Sequence, residues 1–282
     1  MKAIQALTTL TASENHLYVR WHDPGVAEVV LADPQRRNAM SGPMTEAWTT
    51  VMRTLRDIAN GQGESEGRSP DALRVVLVRG EGKAFCAGGD LGWLAGDGAA
   101  SVAELSARMD TFYAAWLSVV DVPVPTVAYL NGPAIGAGAA VALACDIRWV
   151  GDRARFSVPF TRLGLHPGMG TTYLLSSVVG TAMARDLLLT SRMLDAEETL
   201  ACGAATAMVS EDELLGKVRE IAANAPIATR LTKRALQPVA PASLDEALRF
   251  EGVAQPVTMT TQDVQEGLAA VRERRDPVFR DR

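Results

Sequence analysis

Hydrophobic positions along the first half of the chain alternate between short extended runs and longer stripes with helical spacing. The first two extended runs flank a turn signal, Asp23-Pro24-Gly25. Runs that predict strands cover residues 16–21, 26–32, 73–78, 125–130 and 146–150. Stripes that predict helices cover residues 43–59 and 103–119, and a short alanine-rich helix ends near residue 145. Strands that alternate with helices in this way predict an α/β fold with a parallel sheet.

The second half of the chain is mainly helical in pattern, from about residue 168 onward. The predicted helices cover residues 171–179, 182–189, 196–202, 211–223, 228–236, 244–253 and 262–272. The pattern predicts an α/β body followed by a helical tail, and we divide the chain into a body, residues 1–205, and a C-terminal helical region, residues 206–282.

Composition and charge exclude several classes of protein. Of the 282 residues, 48% are hydrophobic and 22% are charged, and the net charge is −5, which predicts a folded chain. A nucleic-acid-binding protein usually carries a basic stripe, which this sequence lacks, so no nucleic-acid partner is expected. The longest apolar stretch, residues 132–145, is too short and too rich in glycine and alanine to span a membrane.

The three cysteines, Cys86, Cys145 and Cys202, lie far apart, with no CxxC motif and no paired histidines. This spacing argues against a disulfide framework and against a metal site, and it favours a cytoplasmic location.

Two glycine-rich segments each follow a predicted strand, which is where open α/β folds bind their ligands. The first is KAFCAGGDL, residues 83–91, and the second is NGPAIGAGAA, residues 131–140. Small residues let a ligand approach the main chain, so that backbone N–H groups can bind it. The second segment also opens a helix, whose free N–H groups favour negative charge. Two such groups aimed at one oxygen would form an oxyanion hole.

Two other interpretations of these glycines remain open. In the first interpretation, the glycines do no more than form tight turns. Alternatively, residues 136–141 can form a dinucleotide-binding turn, with Asp152 as the acid that contacts the ribose. Residues 131–135 separate that turn from the preceding strand, which weakens the dinucleotide interpretation.

Several motifs, in this order, resemble the crotonase superfamily, also called the enoyl-CoA hydratase/isomerase family. They are LADPQRRNAM at residues 31–40, FCAGGDL at 85–91, residues 128–146, FSVP at 156–159, LGLHPGMG at 163–170, EGL at 266–268 and RDPVF at 275–279. The resemblance implies a spiral of ββα units followed by a helical trimerisation region, and a homotrimer or a dimer of trimers.

The resemblance also implies a coenzyme A thioester as substrate, with no separate cofactor and no metal. By position, the backbone N–H groups of Gly89 and Ala137 would form the oxyanion hole that holds the thioester oxygen. The residues implied to contact coenzyme A are Arg36, Arg37, Ala39, Ala87, Gly88, Asp90 and Leu91. Arg37 is expected near the phosphates, with Arg36 as the alternative.

The sequence departs from the family pattern at the two glutamates that hydratases use to handle water. Those positions are Ala140 and Phe160, and neither side chain can transfer a proton. We expect a protein that stabilises the enolate of an acyl-CoA but does not hydrate efficiently, so the reaction type stays open among isomerase, lyase, hydrolase and residual hydratase. The alternative is a non-catalytic acyl-CoA-binding protein.

Three side chains are candidates for acid–base chemistry, and the sequence does not choose among them. Asp110 and Tyr113 lie on the predicted helix at 103–119, which supplies a catalytic side chain in some members of the family that the chain resembles. His166 precedes Pro167 in a predicted turn, where a structural role is the alternative. Phe160 in place of a glutamate favours an apolar acyl group.

Overall fold

The computed structural model describes residues 16–61, 73–90, 101–236 and 261–280. The strands are β1 Leu17–His22, β2 Val26–Leu31, β3 Val75–Gly80, β4 Thr126–Leu130, β5 Pro133–Ile135, β6 Ile147–Val150, β7 Arg155–Ser157, β8 Leu194–Asp195 and β9 Ala207–Met208. The helices are α1 Gly42–Ala59, α2 Val102–Leu117, α3 Ala137–Ala144, α4 Thr171–Thr190, α5 Ala196–Ala201, α6 Glu211–Ala222, α7 Pro226–Ala235 and α8 Gln262–Glu273. The helix predicted over residues 244–253 lies outside the described residues.

The strands form two sheets. The larger sheet has the order β1-β2-β3-β4-β6-β9, in which β1 is antiparallel to β2 and the remaining neighbours are parallel. The smaller sheet has the order β5-β7-β8. The prediction of an α/β fold with a parallel sheet is therefore confirmed, whereas β5, β7, β8 and β9 were not predicted as strands.

Strand β3 illustrates why the central strands are continuous apolar runs. Val76 and Val78 face the main hydrophobic core, and Val75 and Leu77 face a second core on the other side of the sheet. Because both faces of the strand are covered, its residues are apolar on both sides and do not alternate between apolar and polar. The second core includes Leu214 and further apolar residues of α6.

The break predicted near residue 180 is present as a kink inside α4. Gly180 has φ 77° and ψ 159°, a conformation outside the helical region that glycine adopts readily. The two predicted helices, 171–179 and 182–189, correspond to the two halves of α4.

An ion pair between a buried lysine and an exposed aspartate joins the C-terminal part of the chain to the body. Lys233 on α7 lies 2.7 Å from Asp146 at the start of β6, and its ammonium also donates to the Val124 carbonyl oxygen at 2.9 Å. Strand β9 and helix α6 pack on the main sheet directly after residue 205. The division of the chain at that residue, and the assembly function of the second region, stay predictions.

Within the described ranges, no helix is both long enough and apolar enough to cross a bilayer.

Candidate active site

The two glycine-rich segments meet at one edge of the main sheet. They follow β3 and β4, which are parallel neighbours, so their carboxyl ends lie at the same edge. The Cys86 N–H donates to the Pro133 carbonyl oxygen at 3.1 Å, and the Ile135 N–H donates to the Cys86 carbonyl oxygen at 2.9 Å. These bonds hold the two segments side by side.

Residues 37–40 run along the other side of the first segment. The Met40 N–H donates to the Gly88 carbonyl oxygen at 2.8 Å, and the Asp90 N–H donates to the Met40 carbonyl oxygen at 3.2 Å. In this parallel pairing the N–H of Gly89 points away from Met40, toward the second segment. It donates to no other residue of the described part of the chain.

The N–H of Ala137 is the second free donor. Ala137 is the first residue of α3, so its N–H has no partner within the helix. The chain enters this helix through Gly136, whose φ of 54° and ψ of −116° require glycine. The segments are also in close contact, because a Cβ on Gly88 would lie 2.8 Å from the Ile135 carbonyl oxygen and 3.5 Å from the Ala137 nitrogen.

Both donors line a cavity of about 290 Å³. Its wall is formed by the two segments, by one face of α2 and by residues 159–169. The lining residues are Ala87, Gly88, Gly89, Met109, Phe112, Tyr113, Ile135, Gly136, Ala137, Pro159, Phe160, Leu163, Leu165, His166, Gly168 and Met169. Two N–H groups in a largely apolar cavity can stabilise a negatively charged oxygen.

Helix α2 is anchored so that its apolar side faces this cavity. Trp116 stacks on Trp48 of α1 with ring centroids 4.8 Å apart, and its indole N–H donates to the Thr45 hydroxyl at 3.0 Å. Ser101 and Glu104 form a capping box at the other end of α2.

The two positions at which the resemblance implies glutamates, 140 and 160, differ in their surroundings. Phe160 lines the cavity, and its ring lies near Gly136, 3.8 Å from where a Cβ would be. Ala140 lies on α3 and is completely buried in the main core. A proton-transferring side chain is absent at both positions.

The three candidates for acid–base chemistry differ in whether they line the cavity. Tyr113 and His166 line the cavity. Asp110, three residues before Tyr113, is exposed and does not contribute to the cavity wall.

The two arginines implied in coenzyme A binding have different surroundings. Arg36 is held by carboxylates, with its Nε 2.7 Å from Asp33 and one Nη 3.3 Å from Asp90. Arg37 is exposed, and its side chain forms no ion pair with any described residue. Ala39 lies between the arginines and the first segment, whereas Leu91 lies outside the described residues.

Two buried asparagines shape the first segment, and the sequence analysis assigned them no role. The amide of Asn38 accepts from the Asp33 N–H and donates to the carbonyl oxygens of residues 81, 84 and 85, at 2.8–3.3 Å. The amide of Asn131 accepts from the Gly80 N–H and donates to the carbonyl oxygens of residues 82 and 84. Asn38 has a φ of 57°, which asparagine tolerates better than most residues. The only local signal was at Asn131, which directly follows the end of β4.

We predict that Asn38→Asp will destabilise the protein by roughly 3–5 kcal/mol, because the change aims a buried carboxylate at backbone carbonyl oxygens. Urea unfolding measures the difference. Asn60→Asp, at the exposed end of α1, is the matched control and should cost less than about 1 kcal/mol. Equal effects of the two changes would mean that the Asn38 amide does not hold the segment.

The cysteine in the first segment does not serve as a nucleophile. Cys86 is completely buried, and burial raises the pKa of its thiol to about 12. A thiol in that state is protonated at neutral pH and unreactive.

The dinucleotide interpretation does not fit the local structure. A dinucleotide-binding turn leads directly from a strand into a helix. Here β5, which belongs to the smaller sheet, lies between β4 and α3. Asp152, the acid of that interpretation, has a largely exposed side chain beside Arg153.

Comparisons with known proteins identify the family of the chain. The profile of the enoyl-CoA hydratase/isomerase family matches residues 22–282. A short-chain-enoyl-CoA hydratase of Clostridium acetobutylicum is 32% identical over 263 residues, which cover 89% of this chain and 92% of that protein.

Solved structures with the same fold include an enoyl-CoA hydratase from Bacillus anthracis. Its TM-score is 0.84 at 29% identity, and the match covers 95% of this chain and all of that one. A protein from Thermobifida fusca, solved in complex with acetoacetyl-CoA, has a TM-score of 0.74 at 30% identity, covering 88% of this chain and 98% of that one. The resemblance noted in the sequence is thereby confirmed, and the chain belongs to the enoyl-CoA hydratase/isomerase family.

Proposed function

We propose that the protein binds an acyl-CoA thioester and stabilises the enolate of its acyl group. The observation that carries the proposal is the pair of free N–H groups, on Gly89 and Ala137, that line one cavity. Donors of this kind stabilise the charge that develops on the thioester oxygen, and one donor is worth roughly 3–4 kcal/mol. The acetoacetyl-CoA complex of the Thermobifida fusca protein supports the same substrate class.

The cavity favours an apolar acyl group. Met109, Phe112, Phe160, Leu163 and Leu165 contribute side chains without charge to its wall. A polar acyl group would lose hydration there without gaining many partners. The absence of both glutamates favours a reaction that moves a proton at carbon, as in an isomerase or lyase, over the addition of water. The same absence supports the second candidate, a non-catalytic acyl-CoA-binding protein.

Residues 36–39 and 87–90 lie next to one another and form the proposed coenzyme A contact. The Ala87 N–H donates to the Arg37 carbonyl oxygen at 2.9 Å, which joins the two stretches. Arg37 is the favoured phosphate contact, because no carboxylate of the described residues competes for its guanidinium. Arg36 is already neutralised by Asp33 and Asp90.

Binding measurements test this assignment. We expect butyryl-CoA to bind at least about 100-fold more tightly than butyrate, because the phosphates add charge-assisted hydrogen bonds. Arg37→Ala should weaken butyryl-CoA binding roughly tenfold, and Arg36→Ala should weaken it less than about threefold. Isothermal titration calorimetry gives both comparisons. Equal affinity for butyryl-CoA and butyrate would contradict the proposed function, and equal effects of the two variants would contradict the choice of Arg37.

We also propose that the chain assembles as a homotrimer or a dimer of trimers. Large apolar side chains stand exposed on and just after α4, at Tyr173, Leu189 and Met193. Exposed apolar groups of this kind are typical of subunit contacts. Light scattering should give three or six times the chain mass of 30.0 kDa, and a monomeric mass would exclude both assemblies.

A further inference from the structure

Proton transfer in the cavity is limited to very few side chains. Among the described residues that line it, Tyr113 and His166 alone carry a group that exchanges protons. The other lining side chains are aliphatic, aromatic or thioether, or are absent in the glycines. An enolate formed at the two N–H groups needs a base, and within the described part of the cavity wall the candidates are these two residues.

The hydrogen bond of His166 determines which ring nitrogen is free. Its Nδ1 lies 2.8 Å from the Pro167 carbonyl oxygen. A carbonyl oxygen only accepts, so Nδ1 carries the hydrogen and donates it. In the neutral ring Nε2 then has a lone pair and can accept a proton. The residue is exposed, so a proton taken up there can pass to solvent.

The hydroxyl of Tyr113 suits a different role. A phenol hydroxyl donates a hydrogen bond and is a weaker base than an imidazole nitrogen. The hydroxyl lies against Gly168, where a Cβ would be only 2.3 Å from the oxygen. Tyr113 therefore packs against the turn that carries His166. This close contact is possible because Gly168 has no side chain.

The nearby carboxylates are less suitable. Asp110 is exposed on α2 outside the cavity wall. Asp90 follows the Gly89 donor, but its carboxylate accepts from Arg36 and does not line the cavity.

We propose that His166 is the catalytic base and that Tyr113 is a positioning residue for it, an inference that rests on the proposed function. Nε2 takes a proton from the carbon next to the thioester carbonyl. The electron pair of the broken C–H bond moves into the enolate, whose oxygen is held by the N–H groups of Gly89 and Ala137. Return of a proton from the imidazolium to the same carbon, or to one conjugated with it, completes the step without any oxidant or reductant.

Deuterium exchange tests the assignment directly. Butyryl-CoA is incubated with the protein in D₂O, and mass spectrometry follows the label at the carbon next to the carbonyl. The wild-type protein should catalyse the exchange. His166→Gln keeps a polar side chain with an N–H donor but has no basic nitrogen, so the exchange should slow by roughly 100-fold or more. Butyryl-CoA affinity, measured by calorimetry, should change less than about threefold.

Two further variants serve as comparisons. Asp110→Asn changes an exposed carboxylate on the same helix as Tyr113 and should leave the exchange rate unchanged. Tyr113→Phe should slow exchange less than His166→Gln, with little effect on affinity, and the double variant should be no slower than His166→Gln alone. That non-additivity is the result that a merely structural Tyr113 would not give.

The outcomes distinguish this inference from the function on which it rests. Exchange at the wild-type rate in folded His166→Gln would overturn the base assignment, and so would a larger loss in Tyr113→Phe. Wild-type protein that binds butyryl-CoA but exchanges no label would also overturn it. Failure of the wild-type protein to bind butyryl-CoA at all would instead overturn the proposed function.

Discussion

Crotonyl-CoA should be hydrated at least about 10³-fold more slowly by this protein than by a family hydratase that carries both glutamates. Water addition needs one group to orient and deprotonate the water and one to supply the proton at carbon. The resemblance implies glutamates for these two tasks at positions 140 and 160, where this chain has Ala140 and Phe160, and Ala140 is completely buried. General acid–base groups are worth roughly 10²–10⁴-fold each, although a pair that acts as a unit costs less than the product when both are lost. The loss of absorbance of the enoyl thioester measures the rate.

The short-chain-enoyl-CoA hydratase of Clostridium acetobutylicum, assayed beside this protein, is the matched positive control. Single replacements, Ala140→Glu or Phe160→Glu, should restore little activity, because one carboxylate cannot perform both tasks. A wild-type rate close to that of the control enzyme would show that another group replaces the glutamates, and the argument from residues 140 and 160 would be wrong.

Gly89→Pro should reduce proton exchange at the acyl carbon by roughly 10²–10³-fold, because proline removes the N–H that would hold the thioester oxygen. The fold should survive the change. The bonds on either side of this residue use the Gly88 carbonyl oxygen and the Asp90 N–H, and proline at position 89 removes neither. The exchange assay in D₂O measures the effect, and thermal unfolding checks that the variant is folded.

Gly89→Ala is the matched control, because alanine retains the N–H and adds only a methyl group. We expect its exchange rate to stay within about tenfold of the wild-type rate. If folded Gly89→Pro exchanges at the wild-type rate, then Gly89 is only a turn residue and the oxyanion-hole proposal fails.

The sequence was most informative where a single segment carries its own pattern. Residues 75–78 of β3 are all apolar because both faces of the strand are buried there, and the stripe of α1 follows helical spacing. The break at Gly180 was visible as a gap in the helical pattern. The glycine-rich segments also followed predicted strands, so their meeting at one sheet edge could be expected from parallel pairing. Their motifs and order carried the family resemblance, which the comparisons confirmed.

Strands of two or three residues could not be predicted from hydrophobic periodicity. Strands β5, β8 and β9 contain too few residues to show an alternating pattern. They form because other strands offer unpaired backbone groups beside them, and those strands lie 20 to 60 residues away in the sequence.

Choices between neighbouring side chains were decided by tertiary structure alone. Arg36 and Arg37 look equivalent in sequence, but Asp90, which lies within the first glycine-rich segment, pairs with Arg36 and not with Arg37. Asp110 and Tyr113 share one helix, and the packing of that helix turns only Tyr113 toward the cavity. The roles of the two buried asparagines likewise depend on carbonyl groups that β3 and β4 bring close. Local patterns specify period and turn, whereas the direction and partners of a side chain depend on segments that become neighbours only when the chain folds.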